Sequence, residues 1–146
     1  TKNGRPIMSA SLGKCATQRN LSEDGRAQAR RIGAWFKSHQ LAPGRVRSSP
    51  WCRCIDTAVI AFGSAQPWAA LGSPSGQEPA TRASHLRELH RALDAAHAIR
   101  AGFEVWVTHM FVLADLTGEN TDSGDGLILV PGPGGKARVL ARLAIT

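Results

Sequence analysis

The chain has no tyrosine, and four Trp and four Phe make up only 5% of it. Sequence-tolerant nucleic-acid binding leans on aromatic stacking beside a basic groove, so this scarcity argues against that class. Long apolar runs are also missing. Stretches such as Ala58 to Phe62 fall far short of the ~18 residues of a membrane-spanning helix, and no signal-peptide pattern precedes them. Cysteine is scarce and odd in number: Cys15, Cys52 and Cys54. The C-x-C spacing of the last two is not the C-x-x-C of a zinc or thioredoxin site. On a helix they would point about 200° apart and pair poorly with each other. A bridge from Cys15 to one of them, in an oxidising compartment, and three free thiols are both compatible with the sequence, so an exported and a cytoplasmic location both stay open.

Acidic residues are nearly missing from one half. Residues 1–60 hold 11 basic and 3 acidic side chains, a balance of +8, whereas residues 61–146 hold 7 and 8, a balance of −1. A basic half suits an anionic partner such as a phosphate ester, as well as a merely soluble surface. The phosphate-binding P-loop, G-x-S-x-G and G-x-G-x-x-G are absent, as is the i, i+4 histidine pair of a zinc protease. Asp122 to Gly126 (D-S-G-D-G) lacks the alternating acids and closing Glu of a calcium loop and reads as a turn. No metal site and no cofactor is expected.

What is present is a globular composition. The 146 residues are 42% hydrophobic and 20% charged, which suits one domain able to bury a core without disulfide or metal support. Residues 1–14 show no period and read as a loop. Ser22 followed by Glu23 and Asp24 is a helix start, and Ala29, Ile32, Trp35 and Phe36 carry the helical period, so the spacing predicts a helix over 23–38. Pro43 and Gly44 make a turn into a short strand over 45–48. Ser49 and Pro50 then read as N-cap and first helical residue, with a helix over 51–62. Residues 63–79 read as a long loop. Leu86, Leu89, Leu93 and Ala96 predict a helix over 80–100, ended by Gly102. A buried strand over 103–108, a short helix over 110–116 stopped by Gly118, and a hairpin of 127–130 with 137–145 complete the chain. Strands alternating with helices predict an α/β fold: a three-layer sandwich with a mostly parallel central sheet flanked by helices, and a C-terminal hairpin.

Chemistry concentrates in V-R-S-S-P-W-C-R-C-I-D-T, Val46 to Thr57. A strand ends in two serines, and a helix starts there whose free N–H groups and partial positive charge favour a phosphate. Arg53 in its first turn can grip phosphate oxygens in two places. Set against this, an Arg on a surface helix is ordinarily just solvated. His109 ends the later strand. A lone His in such a place is more often structural, yet ligands of open α/β sheets sit at the carboxyl ends of strands, and Ser49 and His109 both follow strands. Arg53 and His109 are therefore expected to converge on one pocket. His85, His90 and His97 on the third helix read as surface residues.

Three segments in order resemble the histidine phosphatase superfamily, the phosphoglycerate-mutase-like fold. They are N-L-S-E-D-G-R-A-Q-A-R-R-I-G (Asn20 to Gly33), V-R-S-S-P-W-C-R-C-I-D-T-A (Val46 to Ala58) and V-W-V-T-H (Val105 to His109). C-A-T-Q-R-N-L-S, W-C-R-C and L-T-G-E-N resemble a bacterial branch of that family whose members are often exported. The resemblance implies a metal-free phosphohistidine mechanism. A nucleophilic His attacks phosphorus, two arginines and a second His hold the phosphoryl oxygens, and an acid protonates the leaving group. On it, Arg53 matches the second arginine and His109 the second His. Ser49 and Arg19 are further substrate-binding candidates, and Glu78 is the candidate proton donor beside its reading as a solvated loop charge.

The family's R-H-G or R-H-A nucleophile motif has no counterpart here. No histidine follows an arginine, and residues 1–14 contain none. Met110 also stands where the family commonly has Gly after the second His. The chain begins at Thr1 rather than Met, so the expectation is a single histidine-phosphatase-like domain over 1–146 lacking its N-terminal catalytic strand, or one in which residues around Arg5 to Ala10 stand in for it. The complete form would be a phosphomonoesterase acting on a small phosphorylated molecule, and these residues alone would be inactive. The alternatives are a non-catalytic relative binding a phosphorylated ligand, inorganic phosphate or a partner, and, third, a basic nucleic-acid-binding module. The sequence does not set the oligomeric state.

Overall fold

A computed structural model describes residues 15–74, 76–98, 102–134 and 136–145. The segment 1–14, with the stand-in strand considered around Arg5 to Ala10, lies outside the described residues. Helix α1, Glu23–Ser38, starts where its cap requires: the Ser22 hydroxyl accepts from the Gly25 N–H at 3.1 Å, with Glu23 and Asp24 in the first turn and Lys37 in the last. Strand β1, Arg45–Ser48, leads into helix α2, Cys52–Phe62, which ends at Gly63 in the left-handed region (φ 85°). Strand β2, Gln66–Pro67, precedes helix α3, Pro79–Ala98. Strand β3, Glu104–Val107, runs into helix α4, Met110–Thr117, and strands β4, Asp125–Val130, and β5, Arg138–Ala144, close the chain.

The sheet order is β2-β1-β3, all parallel, with β4 and β5 forming a separate antiparallel hairpin. The α/β architecture expected from the alternation of elements is therefore present: a parallel three-stranded sheet flanked by four helices among the described residues, and a C-terminal hairpin. Two details differ. Within the stretch read as loop, Gln66–Pro67 forms a strand, because its neighbour supplies the order: Arg47 pairs with Gln66, and the Trp68 N–H donates to the Ser48 carbonyl at 2.8 Å. His85 and His90, read as surface residues, are half-buried, with His85 Nδ1 and His90 Nε2 shielded and unbonded among the described residues. The face of α3 that buries Leu89 and Leu93 is wide enough to draw these neighbours inward.

Alternation along β1 and β3 divides the packing. The register aligns Arg47 with Trp106 on one face and Val46 with Val105 on the other. On the first face Leu71, Leu89, Leu93, Val112 and Leu116 form the main core, with Trp68 and Trp106 packed against it. Arg47 lies over the Trp68 ring, 3.9 Å from its centroid, and pairs with Glu104 at 3.0 Å, which also accepts from Trp106 Nε1 at 3.0 Å. The charge is thus held by a carboxylate and an aromatic face rather than by water. Helices α1 and α2 pack together and α2 lies against β1 and β3. A side chain on Gly33 would run into the Ala61 carbonyl, so the α1–α2 crossing needs glycine for close approach. Gln28 of α1 reaches the loop before β4, donating to the Ser123 carbonyl at 3.3 Å. None of the described helices is long and apolar enough to cross a membrane.

Candidate functional site

The carboxyl ends of β1 and β3 lie side by side, since Ser48 pairs with Val107 and the Ser49 N–H donates to the Val107 carbonyl at 2.8 Å. The residues just beyond, Ser49 and His109, meet there: Ser49 Oγ and His109 Nε2 are 2.8 Å apart. His109 is the N-cap residue of α4, with extended backbone (φ −106°, ψ 154°), and is buried. Arg53, in the first turn of α2, comes from the neighbouring strand end, with its NH2 3.2 Å from His109 Nδ1. The sheet's parallel register therefore brings Arg53 and His109 into contact across 56 positions of sequence.

The chemistry of the pair follows from who can donate. A guanidinium has no acceptor, so His109 Nδ1 accepts from Arg53 and the ring proton sits on Nε2, donated to the Ser49 hydroxyl. Burial, first, and the Arg53 charge, second, push the His109 pKa down to about 4. At neutral pH the imidazole is uncharged. Ser49 is fully buried and accepts also from the Trp51 N–H at 3.2 Å. It is not the N-cap it was read as. Trp51 holds that position and helix α2 begins at Cys52, because the serine hydroxyl is committed to His109 and to the turn.

This geometry does not make a serine nucleophile. A His that serves as base needs a free Nε2 lone pair toward the hydroxyl and a carboxylate on Nδ1; here Nε2 donates and a cation occupies Nδ1. Cys54 Sγ lies 3.7 Å from His109 Nε2, and its thiol is pushed up by burial, which outweighs the opposing effects of Arg53 and the Ser49 hydrogen bond. It is a shielded thiol rather than a thiolate. The remaining histidines are elsewhere: His39 stacks on Trp35 after α1, and His85, His90 and His97 belong to α3. What the cluster can do is present a guanidinium and a neutral imidazole to an oxyanion at the mouth of two strands and a helix start. No group of described His, Cys, Asp and Glu side chains could hold a metal ion.

The other candidate residues fall outside the cluster. Arg19 is exposed between Gln18 and Asn20, and Glu78 is exposed just before α3. Neither bonds to Arg53 or His109 among the described residues. Of the two cysteine arrangements left open, the bridge from Cys15 is the one present: Cys15 and Cys52 form a disulfide, leaving Cys54 free. One feature of the site was not read from the sequence: Gln18 Oε1 accepts from the Cys52 N–H at 2.7 Å. The signal available was the W-C-R-C run itself, which flanks Arg53 with two cysteines. The groove lined by Gly33, Phe36, Leu41, Val59 and Phe62 lies at the far end of the α1–α2 pair and includes neither Arg53 nor His109.

Comparison with known proteins gives a consistent account. The model of the histidine phosphatase superfamily (branch 1) matches residues 14–73, which carry α1, β1, α2 and β2. No curated protein matches the chain. Among solved structures, the protein histidine phosphatase SixA complexed with tungstate has a TM-score of 0.59 at 18% identity, over 86% of this chain and 84% of that one. TTHB049 from Thermus thermophilus aligns at 23% identity with a TM-score of 0.49, over 87% and 82%. The match over residues 14–73, less than half of the chain, is a similarity to the histidine phosphatase superfamily (branch 1), and the likeness to SixA shows a shared fold.

Proposed function

We propose that Arg53 and His109 form the phosphoryl-oxygen subsite of a phosphomonoesterase of the histidine phosphatase type. The observation that carries the reading is the 3.2 Å contact of Arg53 NH2 with His109 Nδ1 at the joined ends of β1 and β3. A phosphate dianion entering there takes over the guanidinium as a bidentate partner. It also gives His109 a reason to hold a second proton: Nδ1, relieved of Arg53, can take up a proton and donate it to a phosphate oxygen while Nε2–H stays on Ser49. Both cations then lie around the oxygens whose charge grows in phosphoryl transfer. The tungstate bound by SixA supports this reading, since tungstate is a tetrahedral oxyanion like phosphate.

The complete reaction would run through a phosphohistidine formed on a nucleophile that these residues do not supply. Among the described residues, none of the other four histidines is bonded to Arg53 or His109. Arg53 and His109 alone stabilise charge and leave only a small residual rate. The 146-residue chain is thus expected to bind inorganic phosphate and small phosphomonoesters and not to turn them over. The same missing histidine favours the second reading, a non-catalytic relative that binds a phosphorylated ligand. Titration with phosphate by calorimetry, beside a chromogenic phosphomonoester assay, tests both. Binding abolished by Arg53→Ala supports the subsite. Robust turnover by this chain would overturn the assignment of roles, and absence of phosphate binding would overturn the subsite itself.

A further inference from the structure

Helix α2 has no side-chain cap of its own at Trp51. Its first residue is instead fastened by two links from a segment 34–37 positions earlier: the Cys15–Cys52 disulfide, and the Cys52 N–H donated to Gln18 Oε1 at 2.7 Å. That segment is a small knot. Gln18 N–H donates to the Cys15 carbonyl at 3.0 Å, and Asn20 Nδ2 donates to the same carbonyl at 2.8 Å and to that of Gln18 at 3.3 Å. Holding Cys15 therefore holds Gln18 in place over the helix start. Arg53 is the very next residue after the fastened one.

We infer that the Cys15–Cys52 disulfide is a redox-sensitive clamp on the turn that carries Arg53, tightening oxyanion binding when bridged and loosening it when reduced. This rests on the reading of Arg53 and His109 as an oxyanion subsite. Cys15 is exposed, so a dithiol can reach its sulfur, whereas Cys52 is buried. The attacking thiolate bonds to Cys15 Sγ and the Cys15–Cys52 bond breaks. Cys52 leaves as a thiolate and is protonated. The second thiol of the reductant then displaces Cys15, giving two cysteine thiols and the oxidised dithiol for two electrons and two protons. Cys52 leaves from the first residue of a helix and beside Arg53, where partial and full positive charges favour a departing thiolate. Cys54 is no resolving partner, because its thiol is buried beneath His109.

The test compares the oxidised chain with the same chain reduced by a dithiol, with thiols counted and far-ultraviolet dichroism recorded in both. Inorganic phosphate is the probe, titrated by calorimetry. One thiol and phosphate binding are expected in the oxidised form. Three thiols, retained helix content and about three- to tenfold weaker binding are expected in the reduced form, the size of one lost tether and hydrogen bond. Cys15→Ser should bind like the reduced chain and ignore the reductant. A site-specific readout separates the clamp from general loosening: as Arg53 withdraws from a ring that otherwise bonds, among the described residues, to Ser49 Oγ and Cys54 Sγ, the His109 imidazole titration followed by NMR should move upward. Three thiols in the oxidised protein, equal or tighter phosphate binding after verified reduction, or global unfolding on reduction each overturns the clamp. Phosphate binding that is absent from the oxidised chain, or indifferent to Arg53→Ala, instead fails the subsite and the clamp with it.

Discussion

Acidification should unfasten this protein through His109. The imidazole is buried with a pKa near 4 in the folded chain, against about 6.5 when exposed to water in the unfolded chain. Between those values the unfolded state binds the proton and the folded state does not, so stability rises with pH across the window and falls as pH is lowered through it. The difference of about 2.5 units at 1.36 kcal/mol each bounds the effect near 3 kcal/mol at pH 4, with about 2 kcal/mol already lost at pH 5. Carboxylates titrate in the lower part of the same range, so the His109 contribution has to be isolated by difference. Urea unfolding of the natural chain and of His109→Gln at pH 7, 6, 5 and 4 does this. The glutamine cannot take up the proton, so the natural chain should lose stability relative to the variant by about 2 kcal/mol between pH 7 and 5. Parallel stability curves over that interval would mean that His109 is not held neutral by burial and Arg53, and the tautomer argument would fall with it.

Arg53→Ala should abolish calorimetrically detectable phosphate binding and shift the His109 NMR titration upward, because the adjacent cation is gone while burial remains. Ser49→Ala strands the buried His109 Nε2–H and should cost about 1–3 kcal/mol in urea unfolding; a loss below about 0.5 kcal/mol would refute the hydrogen bond. Gly33→Ala forces a methyl into the Ala61 carbonyl and should lower stability by about 1–2 kcal/mol, since overpacking exceeds the helix-propensity gain. Phosphate binding near pH 7 should take up a fraction of a proton, visible as an enthalpy that depends on the buffer's ionisation heat; no such dependence would mean that His109 stays neutral under the ligand.

Elements whose cause is local were legible in the sequence. Helix α1 begins at Glu23 because Ser22 caps it, and that signal is contained in a few residues. Arg53 and His109 could be placed at one sheet edge because a parallel sheet sends all strand ends the same way. What was not legible depends on distant partners. Gln66–Pro67 has no strand character of its own and is ordered by β1. Which cysteine bridges Cys15 follows from where the knot at 15–20 lands, a Cα–Cα distance of 5.6 Å that no spacing rule specifies. Gln18 caps a helix 34 residues away, so capping rules built on neighbours pass over it. His90 reads as a surface residue because it lies five positions from His85 and shares no helix face with it, and the breadth of the buried face decides otherwise.

The resting site also explains why so polar a cluster can be buried. Arg53 brings a full charge to the edge of the core, and a buried charge needs a partner. No carboxylate is bonded to it among the described residues; its contacts are the Nδ1 lone pair of a neutral imidazole and the Trp51 ring, 5.7 Å from its centroid. Both are weaker partners than an anion. By contrast Arg47, a little earlier in the chain, is neutralised by Glu104 and covered by Trp68, with its Nε buried and unbonded among the described residues. Two arginines so close in sequence thus have opposite fates, set by the side chain that each one meets. The one facing a carboxylate builds the sheet. The one facing an imidazole has no carboxylate bonded to it among the described residues, and it is this asymmetry, more than the presence of arginine as such, that the proposed phosphate subsite draws on.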